Sequence, residues 1–434
     1  MKDRTTNLSG PHELPADWAD RLERLTVEDA RELLNKLPVS EVAGILSELP
    51  PQEAARLLDN FPDAQIVPWL QLMSPNVVAD LAGEWRAARR GKILAALPPE
   101  ASAAIVALLK FPPDSAGGAM DSRFISVRVD QTVEECLAGL RARPEQRTDD
   151  VLYIYVTDDL QRLIGVISLR ELVFSAAGRR AGDIMNREVR FLRTSDDQEE
   201  IARQIQHYRL LGLPVVDEQQ RLVGVVKLRD AIRVAETEAT EDMQLMVGLS
   251  GEERLWTPWK NSIARRLPWL GVNLITALGA SAVVGIFENT LARWTALVVF
   301  LPLISAVAGN TGNQALTVII RALALGEVAP GDALRVMRKE LVIGLANGCL
   351  LGLAIGLLAF GWKGSAALGA VVGAAMLLNQ VVGALSGVAV PFGLRRLGVD
   401  PALASSIFVT TITDIIGFFL FLGLATLAIW KFAL

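Results

Sequence analysis

Five long apolar segments in the C-terminal part of the chain constrain its fold more than any other feature of the sequence. About 20 mostly apolar residues are enough to cross a bilayer as a helix. The segments lie at roughly Leu267–Phe287, Trp294–Ile319, Val342–Trp362, Ala366–Pro391 and Pro401–Trp430. They predict an all-α membrane domain of five helices, which we bound at residues 263–434.

The lysines and arginines between these segments predict the orientation of the chain. Basic residues accumulate in cytoplasmic loops, and nine fall on one side against three on the other. The nine are Lys260, Arg265, Arg266, Arg321, Arg335, Arg338, Lys339, Arg395 and Arg396; the three are Arg293, Lys363 and Lys431. This predicts a multi-pass protein of a bacterial inner membrane, with its N-terminus cytoplasmic and its C-terminus outside. The start of the chain, through Pro15, has no apolar core of the signal-peptide type.

The fifth segment, read as a helix from Asp400 to Trp430, contains one acid among apolar residues. Asp414 is followed by an uncharged run from Ile415 to Trp430. An ionisable side chain inside a bilayer costs roughly 2.5–3.5 kcal/mol on insertion scales. Two interpretations are open: a structural acid hydrogen-bonded to Thr410 or Thr411, or a cation site to which Asp414 supplies the negative charge.

The second segment carries neutral oxygen ligands in a run of small residues from Pro302 to Gln314. Glycines and a proline loosen a membrane helix, and freed backbone is tolerated where it faces protein or a water-filled cavity. The run contains no His or Cys, the ligands that suit zinc or copper. A tight structural turn is the alternative. The candidate pore ligands are Asp414, Asn310, Asn313, Gln314, Thr410 and Thr411.

Hard oxygens and one acid per chain favour a hydrated divalent cation. Mg²⁺ dehydrates reluctantly and is usually held by one or two carboxylates with its waters retained. In a homodimer, Asp414 from each chain would supply two carboxylates across the two-fold axis. The residues do not distinguish Mg²⁺ from Mn²⁺, Co²⁺ or Ca²⁺.

The part before the membrane segments is acidic. Of 43 basic and 48 acidic residues, 12 and 6 lie from Thr257 onward, which leaves 31 and 42 before it. A net charge of about −11 excludes nucleic acid as a partner, because phosphate binding needs basic faces. Cys136 and Cys349 lie one in each part, so a disulfide framework is not expected.

An array of short helices is predicted for residues 17–117. The apolar-proline steps Leu37-Pro38, Leu49-Pro50 and Phe61-Pro62 recur every 12 residues, and Leu97-Pro98 repeats the step later. Proline is tolerated at a helix start and disfavoured inside one. We therefore expect a small solenoid, in which the basic run Arg86–Arg90 is interpreted as a solvated face.

The next segment contains two copies of one α/β module, bounded at 118–182 and 183–237. Residues 162–172 match residues 221–231, and Met120 corresponds to Met185. The doubled strand, glycine, strand, helix pattern resembles tandem CBS domains. That resemblance implies a regulatory module that binds adenine nucleotide such as ATP, or metal, with a dimerisation scaffold as the alternative.

An acidic connector, bounded at 238–262, follows the repeat. Glu236, Glu238, Glu241 and Asp242 lie within less than two helical turns. Like charges at this spacing repel by a few tenths of a kcal/mol, so a bound cation would relieve the repulsion. A solvated linker is the alternative.

This order of parts resembles the MgtE family of Mg²⁺ channels over about residues 20–434. The most specific motifs are Phe111–Gly117, Glu238–Asp242, Gly309–Gln314 and Asp400-Pro-Ala leading to Asp414. The resemblance implies a homodimer with its pore between the two membrane domains and Asp414 as the pore aspartate. It also implies cytosolic Mg²⁺ at acidic interfaces, where it locks a connecting plug helix and closes the channel.

The sequence departs from that resemblance in several places. Ala308 stands where a glycine is expected. Arginines stand where acids are expected at Arg209, Arg229, Arg233 and in the run Arg86–Arg90. An arginine within about 4–6 Å of a carboxylate pair competes with a metal for it. We therefore expect the chain to sense cytosolic Mg²⁺ weakly, or not through the usual sites. The candidates for a reduced sensor site are Asp197, Glu199, Asp230, Glu238, Glu241 and Asp242.

The sequence favours a channel that imports Mg²⁺ into the cytosol down its electrochemical gradient under control of the cytosolic domains. The alternative is a proton-coupled divalent-cation transporter or exporter regulated by nucleotide at the CBS pair. A membrane metalloprotease is excluded, because the two histidines, His12 and His207, lie in the soluble part and HExxH is absent. The protein is therefore not expected to be an enzyme.

Overall fold

A computed structural model describes residues 14–22, 25–142, 152–251, 253, 255 and 257–432. The predicted N-terminal features through residue 13, including His12, lie outside the described residues. The chain divides into two compact units, Met1–Ala235 and Glu236–Leu434. Each unit is described by itself.

The first unit begins with a helical array built on a 12-residue period. Its helices are α1 (Pro15–Leu22), α2 (Val27–Leu34), α3 (Val39–Glu48), α4 (Pro51–Leu58), α5 (Asp63–Leu72), α6 (Pro75–Glu84), α7 (Ala87–Ala96) and α8 (Pro99–Leu108). Each helix from α3 onward starts 12 residues after the one before it. The predicted apolar-proline steps precede four of these starts, and Ser74 and Arg86 take the place of proline before α6 and α7.

The same period places the core of the array. Leu34, Leu46, Leu58 and Leu70 lie 12 residues apart and are each at most 2% exposed. The helices contact their second neighbours along the chain, so that α1 packs on α3 and α2 on α4. Successive helices therefore add to one continuous core, as in a solenoid.

Two three-stranded sheets follow in the first unit. The elements are α9 (Ala116–Ala119), β1 (Ser126–Arg128), α10 (Val133–Arg141), β2 (Tyr153–Thr157), β3 (Leu163–Ser168), α11 (Leu169–Phe174), α12 (Ala181–Ile184), β4 (Leu192–Arg193), α13 (Gln198–Tyr208), β5 (Gly212–Val216) and β6 (Leu222–Lys227). In each sheet the first strand is parallel to the second and the third is antiparallel to it. The predicted α/β repeat is thus confirmed.

The repeated glycine and methionine of the two copies meet reciprocally. A Cβ on Gly165 would collide with the Met185 side chain, and a Cβ on Gly224 would collide with Met120. Each copy thus packs its methionine on the glycine-bearing strand of the other. The backbone repeats this exchange, because Asp121 bridges to Val225 as Asn186 bridges to Val166.

Helix α14 (Leu228–Met246) begins in the first unit and ends in the second. Gly248 and Gly251 follow it with positive φ angles of 78° and 77°, a backbone conformation that glycine adopts without steric cost. Gln244 then holds the backbone of Glu253, donating to its carbonyl oxygen at 2.7 Å and accepting from its N–H at 2.9 Å.

The membrane helices of the second unit confirm the five predicted spans. They are α15 (Trp259–Ile286), α16 (Glu288–Arg293), a 3-10 turn (Thr295–Phe300), α17 (Leu301–Ala324), a second 3-10 turn (Pro330–Asp332), α18 (Ala333–Lys363), α19 (Ala366–Arg396) and α20 (Ser405–Phe432). Among the described residues, five helices are long and apolar enough to cross a membrane, the second of them including the first 3-10 turn. Helices α15 and α18 begin earlier than the predicted spans. The predicted spans covered only the apolar residues, whereas the first turns of both helices contain charged residues.

The last helix begins at Ser405 and not at Asp400, which corrects the predicted span. The Asp400 carboxylate accepts the N–H of Ala402 at 2.7 Å, and Ala404 has a positive φ of 50°. A side-chain oxygen that bonds the backbone two residues on forms a turn that competes with helix. The segment from 400 to 404 therefore leads into α20 as a turn.

Glycines bring α18 and α19 into close backbone contact. A Cβ on Gly352 would lie 2.6 Å from the carbonyl oxygen of Gly373, and one on Gly356 would lie 2.8 Å from that of Gly369. Small residues allow this approach in a bilayer, where packing and not water exclusion drives helix association. Helix α19 of this pair also packs against α17 and α20.

Candidate functional site

Asp414 lies on α20 where that helix packs against α17. Its carboxylate accepts a hydrogen bond from the hydroxyl group of Ser305 on α17. Gly312 on α17 permits the close contact, because a Cβ there would lie 2.5 Å from Cγ1 of Val409; Gly309 lies beside Thr413 at an ordinary contact distance. The carboxyl group is half-buried, so it keeps one side bound to protein and another open.

The two threonines predicted beside Asp414 are half-buried in the preceding turn of α20. The hydroxyl group of Thr411 donates to the carbonyl oxygen of Ile407 at 2.7 Å. The carbonyl oxygen of Thr410 accepts the hydroxyl of Thr413 at 2.9 Å. The structural-acid interpretation assigned the hydrogen bond of Asp414 to Thr410 or Thr411 on α20. In the structure the bond comes from Ser305 on α17.

The three amide side chains of α17 differ in their exposure. Asn310 and Gln314 lie one turn apart and are exposed in the single chain. Asn313 is half-buried, and its Oδ1 is buried without a hydrogen-bond partner within the described part of the chain. The structure therefore joins Ser305 to Asp414 and leaves Asn310 and Gln314 on an open face of the same helix.

Sequence reasoning missed three polar residues that connect α17 with α19 or α20: Ser305, Asn379 and Gln380. Asn379 and Gln380 lie in the middle of α19 and are 0% exposed. Asn379 donates to the carbonyl oxygen of Ile304 at 3.1 Å, and Gln380 accepts from Thr311 at 2.6 Å. Two adjacent amides inside an apolar segment were the available signal, because buried polar groups need partners.

In the first unit, Asp230 belongs to a cluster that an arginine occupies. The guanidinium group of Arg233 lies 3.8 Å from the Asp230 carboxylate and 3.9 Å from that of Asp80 on α6. Burial raises the pKa of Asp80 to about 6 against the lowering effect of Arg233, with further raising by Asp230 and Glu84. Burial likewise raises the pKa of Asp230, while Arg233 lowers it. Arg233 therefore supplies positive charge where two carboxylates meet.

A second arginine of the predicted set makes a similar contact. Arg89 on α7 bonds the Asp59 carboxylate, lies 3.4 Å from that of Asp63 and donates to the carbonyl oxygen of Leu58 at 2.8 Å. Arg89 is thus engaged by acids of a neighbouring repeat, while Arg86 remains exposed.

Asp197 and Glu199 lie at the start of α13. The Asp197 carboxylate accepts the N–H of Glu199 at 2.9 Å and caps the helix. A side-chain oxygen in this position satisfies a backbone donor that the helix leaves free. This contact gives Asp197 a structural role in the chain.

The acids of the connector lie near the end of α14 in the second unit. Burial raises the pKa of Asp242 to about 6, and the charges of Asp400 and Glu241 raise it further. Asp400 was not predicted as part of this group. The side chain of Glu241 lies against Gly251, and Glu238 is half-buried one turn earlier.

Helix α14 is fixed to the membrane helices beside these acids. Leu245 packs with Leu316, Ile320 and Val409, and its carbonyl oxygen accepts the N–H of Ala404 at 2.8 Å. Within the described residues, no group of three or more His, Cys, Asp or Glu side chains could hold a metal ion. A pair of carboxylates with retained waters still fits Mg²⁺.

The raised pKa of Asp242 predicts a pH dependence of stability. An Asp whose pKa is raised in the folded state binds more protons folded than unfolded between about pH 4 and about pH 6, so stability falls as the pH rises through that range. A shift of two units corresponds to about 2.7 kcal/mol for a fully buried group, and solvent screening reduces this to about 1 kcal/mol. Asp242→Asn should raise the thermal unfolding midpoint near neutral pH and flatten its pH dependence.

Thermal unfolding of the detergent-solubilised chain between about pH 4 and about pH 7 measures this effect. Glu236→Gln is the matched control, because Glu236 is an exposed acid of the same helix. Equal pH dependence in wild type and Asp242→Asn would contradict the assignment.

Comparisons with known proteins identify the family. A family model described as a divalent cation transporter, MgtE, matches residues 301–424, and the MgtE intracellular N domain matches residues 14–114. The CBS domain matches residues 116–178 and 181–236. The magnesium transporter MgtE of Thermus thermophilus is 40% identical over 344 residues, which cover 76% of this chain and 74% of that protein. The chain belongs to the MgtE family.

A second curated relative agrees with this membership. The magnesium transporter MgtE of Bacillus subtilis is 33% identical over 333 residues, which cover 77% of this chain and 74% of that protein. A crystal structure of the cytosolic domain of the Mg²⁺ channel MgtE in complex with ATP aligns with a TM-score of 0.49 at 36% identity, covering 51% of this chain and 91% of that one.

Family membership confirms the predicted resemblance and the predicted order of helical, CBS and membrane parts. With five apolar helices, the chain is a multi-pass membrane protein of a transporter family and not an enzyme. The domain boundaries, ligand residues, oligomeric state and gating stay predictions.

Proposed function

We propose that the chain is a Mg²⁺-permeable channel that imports divalent cations into the cytosol and acts as a homodimer. The observation that carries this proposal is the Asp414 carboxylate, half-buried within α20 and bound by Ser305. Ionisable groups at membrane depth mark ion paths. The names of the relatives in Thermus thermophilus and Bacillus subtilis, both magnesium transporters, support Mg²⁺ as the cargo.

The ion path is proposed to run along the open face of α17. Asn310 and Gln314 are exposed in the single chain, where a second copy would enclose them. Their amide oxygens are hard, neutral ligands that can accept hydrogen bonds from the waters of a hydrated cation. Two copies would present two Asp414 carboxylates, the number that Mg²⁺ commonly uses with its waters retained. Thr410, Thr411 and Asn313 are proposed to line the same path.

Gating is proposed to act through the end of α14. Leu245 and Met246 pack against the ends of α17 and α20, and the acids Asp242, Glu241 and Asp400 gather beside them. A divalent cation there would relieve the repulsion between these carboxylates and hold α14 in place. The orientation with a cytoplasmic N-terminus and an outside C-terminus follows from the basic loops. ATP binding at the CBS pair stays a prediction.

Sensing by the first unit is proposed to be weak because Arg233 already neutralises the acids there. Its guanidinium lies within 3.9 Å of both Asp80 and Asp230. An arginine is always charged and is not released by chelation or by a fall in Mg²⁺. The same reasoning applies to Arg89 beside Asp59 and Asp63.

Uptake into liposomes that contain the purified chain tests the transport function. Wild-type protein should take up Mg²⁺ down its gradient at a rate that an opposing pH gradient does not change. A flux that stops without a proton gradient would instead indicate the proton-coupled transporter. The absence of Mg²⁺ flux under both conditions would overturn the proposal.

The same assay tests the sensing proposal through Arg233→Asp. Millimolar internal Mg²⁺ should leave wild-type flux nearly unchanged and should lower the flux of Arg233→Asp by about fivefold or more, a typical coupling between two sites. Arg203→Asp is the control, because Arg203 pairs with Glu200 on α13 and not with Asp80 or Asp230. Strong closure of the wild type, or equal behaviour of both variants, would contradict the role of Arg233.

A further inference from the structure

Asn379 connects the two helices that hold the pore acid. It lies on α19, is 0% exposed and donates from Nδ2 to the carbonyl oxygen of Ile304 at 3.1 Å. Ile304 directly precedes Ser305, whose hydroxyl group binds Asp414. On its other side, the amide lies against Gly417, one turn beyond Asp414 on α20. Asn379 thus contacts both sides of the Ser305–Asp414 pair.

Gly417 makes this contact possible. A Cβ at position 417 would lie 2.7 Å from Cγ and 2.8 Å from Oδ1 of Asn379. The backbone of α20 at Gly417 therefore lies directly against the side-chain amide of Asn379. If the Asn379 amide changed position, it would displace α20 near Asp414 or would lose its hydrogen bond to the carbonyl oxygen of Ile304.

The amide is not explained by stability alone. Its Oδ1 is buried without a hydrogen-bond partner among the described residues. An unsatisfied buried oxygen costs free energy, and an apolar side chain of similar volume would avoid that cost. The feature that an apolar residue would not reproduce is the hydrogen bond to Ile304, which fixes the turn of α17 that presents Ser305.

We propose that Asn379 is a positioning residue that fixes the Ser305 hydroxyl against the Asp414 carboxylate and so sets where the carboxylate faces the ion. The inference rests on the proposed role of Asp414 in the ion path. Because the hydrogen bond of Asn379 goes to the backbone next to Ser305 and not to the carboxylate, Asn379 acts on the carboxylate through Ser305.

The adjacent residue provides a matched control. Gln380 is an amide on the same helix with the same 0% exposure, but its hydrogen bond goes to Thr311. Replacing either residue by leucine removes one buried amide from α19. A purely structural role would therefore give the two variants similar effects.

Mg²⁺ uptake by the full chain in liposomes, measured against external Mg²⁺ concentration, tests the proposal. Asn379→Leu should raise the half-saturating concentration about tenfold with little change in maximal rate, as expected for loss of support for one charge-assisted hydrogen bond. Gln380→Leu should change it less than about twofold. Asn379→Ser, too short to reach Ile304, should behave like Asn379→Leu and provides the test if the leucine variant does not fold.

A double-mutant cycle with Ser305→Ala separates positioning from general packing. If Asn379 acts through Ser305, Asn379→Leu should have little further effect in the Ser305→Ala background. The proposal would be overturned if the effects of Asn379→Leu and Ser305→Ala on the half-saturating concentration multiply in the double variant. It would also be overturned if Asn379→Leu alone keeps the wild-type half-saturating concentration. Asp414→Asn distinguishes failure of the positioning role from failure of the ion path. Full uptake by Asp414→Asn would mean that the ion path does not include Asp414. If Asp414→Asn loses uptake while Asn379→Leu keeps the wild-type half-saturating concentration, only the positioning role is removed.

Discussion

Asp414→Asn should reduce divalent-cation uptake by about a hundredfold or more. The substitution removes the full negative charge from α20 and keeps an oxygen that can accept the Ser305 hydroxyl, so the helix contact should survive. A unit charge about 4 Å from an ion at an effective dielectric constant of about 20 contributes about 4 kcal/mol per charge on the ion. Even a fraction of that difference corresponds to a hundredfold change in binding.

Mg²⁺ flux into liposomes, with thermal unfolding as a check on folding, measures this effect. Glu327→Gln is the matched control, because Glu327 is an exposed acid of the same unit that lies just after α17 and outside the proposed ion and gating sites. The control should keep uptake near the wild-type rate. Asp414→Asn protein that folds and transports at the wild-type rate would remove Asp414 from the ion path.

The 12-residue period of the helical array shows how far the sequence alone could lead. Prolines before α3, α4, α5 and α8 predicted those starts, because proline restricts where a helix can begin. Ser74 and Arg86 obscured the same step before α6 and α7, although both adopt the extended backbone that the prolines adopt elsewhere. The buried leucines therefore show the 12-residue period without a gap, whereas the proline steps show it at only some of the helix starts.

In the candidate site, the sequence alone points to a residue only where its chemistry is exceptional by itself. A single acid in an apolar span identifies Asp414 without knowledge of its neighbours. Ser305 and Asn379 could not be found in this way, because their importance depends on which faces of α17, α19 and α20 meet. That information lies in helix rotation, which here is set by close contacts such as Gly312 against Gly383.

Two arginines named in the sequence analysis lie beside carboxylates in the first unit. Arg233 and Arg89 each lie beside a pair of carboxylates. Sequence could predict that these arginines change the charge of the interface. It could not predict that each would contact acids of a different helix, since that requires the packing of α6 on α14 and of α5 on α7.

A buried ion pair between the two CBS copies carries the second large prediction. The Lys227 ammonium lies 3.0 Å from the Asp121 carboxylate, and their side chains are 10% and 1% exposed. Arg123 approaches the same carboxylate at 3.4 Å, and its N–H donates to it at 2.9 Å. Asp121 also exchanges backbone hydrogen bonds with Val225 on β6, so the pair lies where one copy crosses the other.

Asp121→Asn should destabilise this part of the chain by about 3–5 kcal/mol. Removing one partner of a buried pair leaves the other charge buried without compensation. Hydrogen exchange of the full chain, followed in peptides that contain Val225, measures the local loss of protection. Adding Lys227→Met to Asp121→Asn should restore part of it, because the buried ammonium group that Asp121 compensated is then removed.

An exposed pair in the same unit provides the control. Arg221 contacts Asp217 at 2.8 Å with side chains that are 55% and 18% exposed. Arg221→Met should cost less than about 1 kcal/mol, as expected for an ion pair that solvent screens. If the double variant at Asp121 and Lys227 stays as unprotected as Asp121→Asn, the hydrogen bonds of the aspartate and not its charge hold the two copies together.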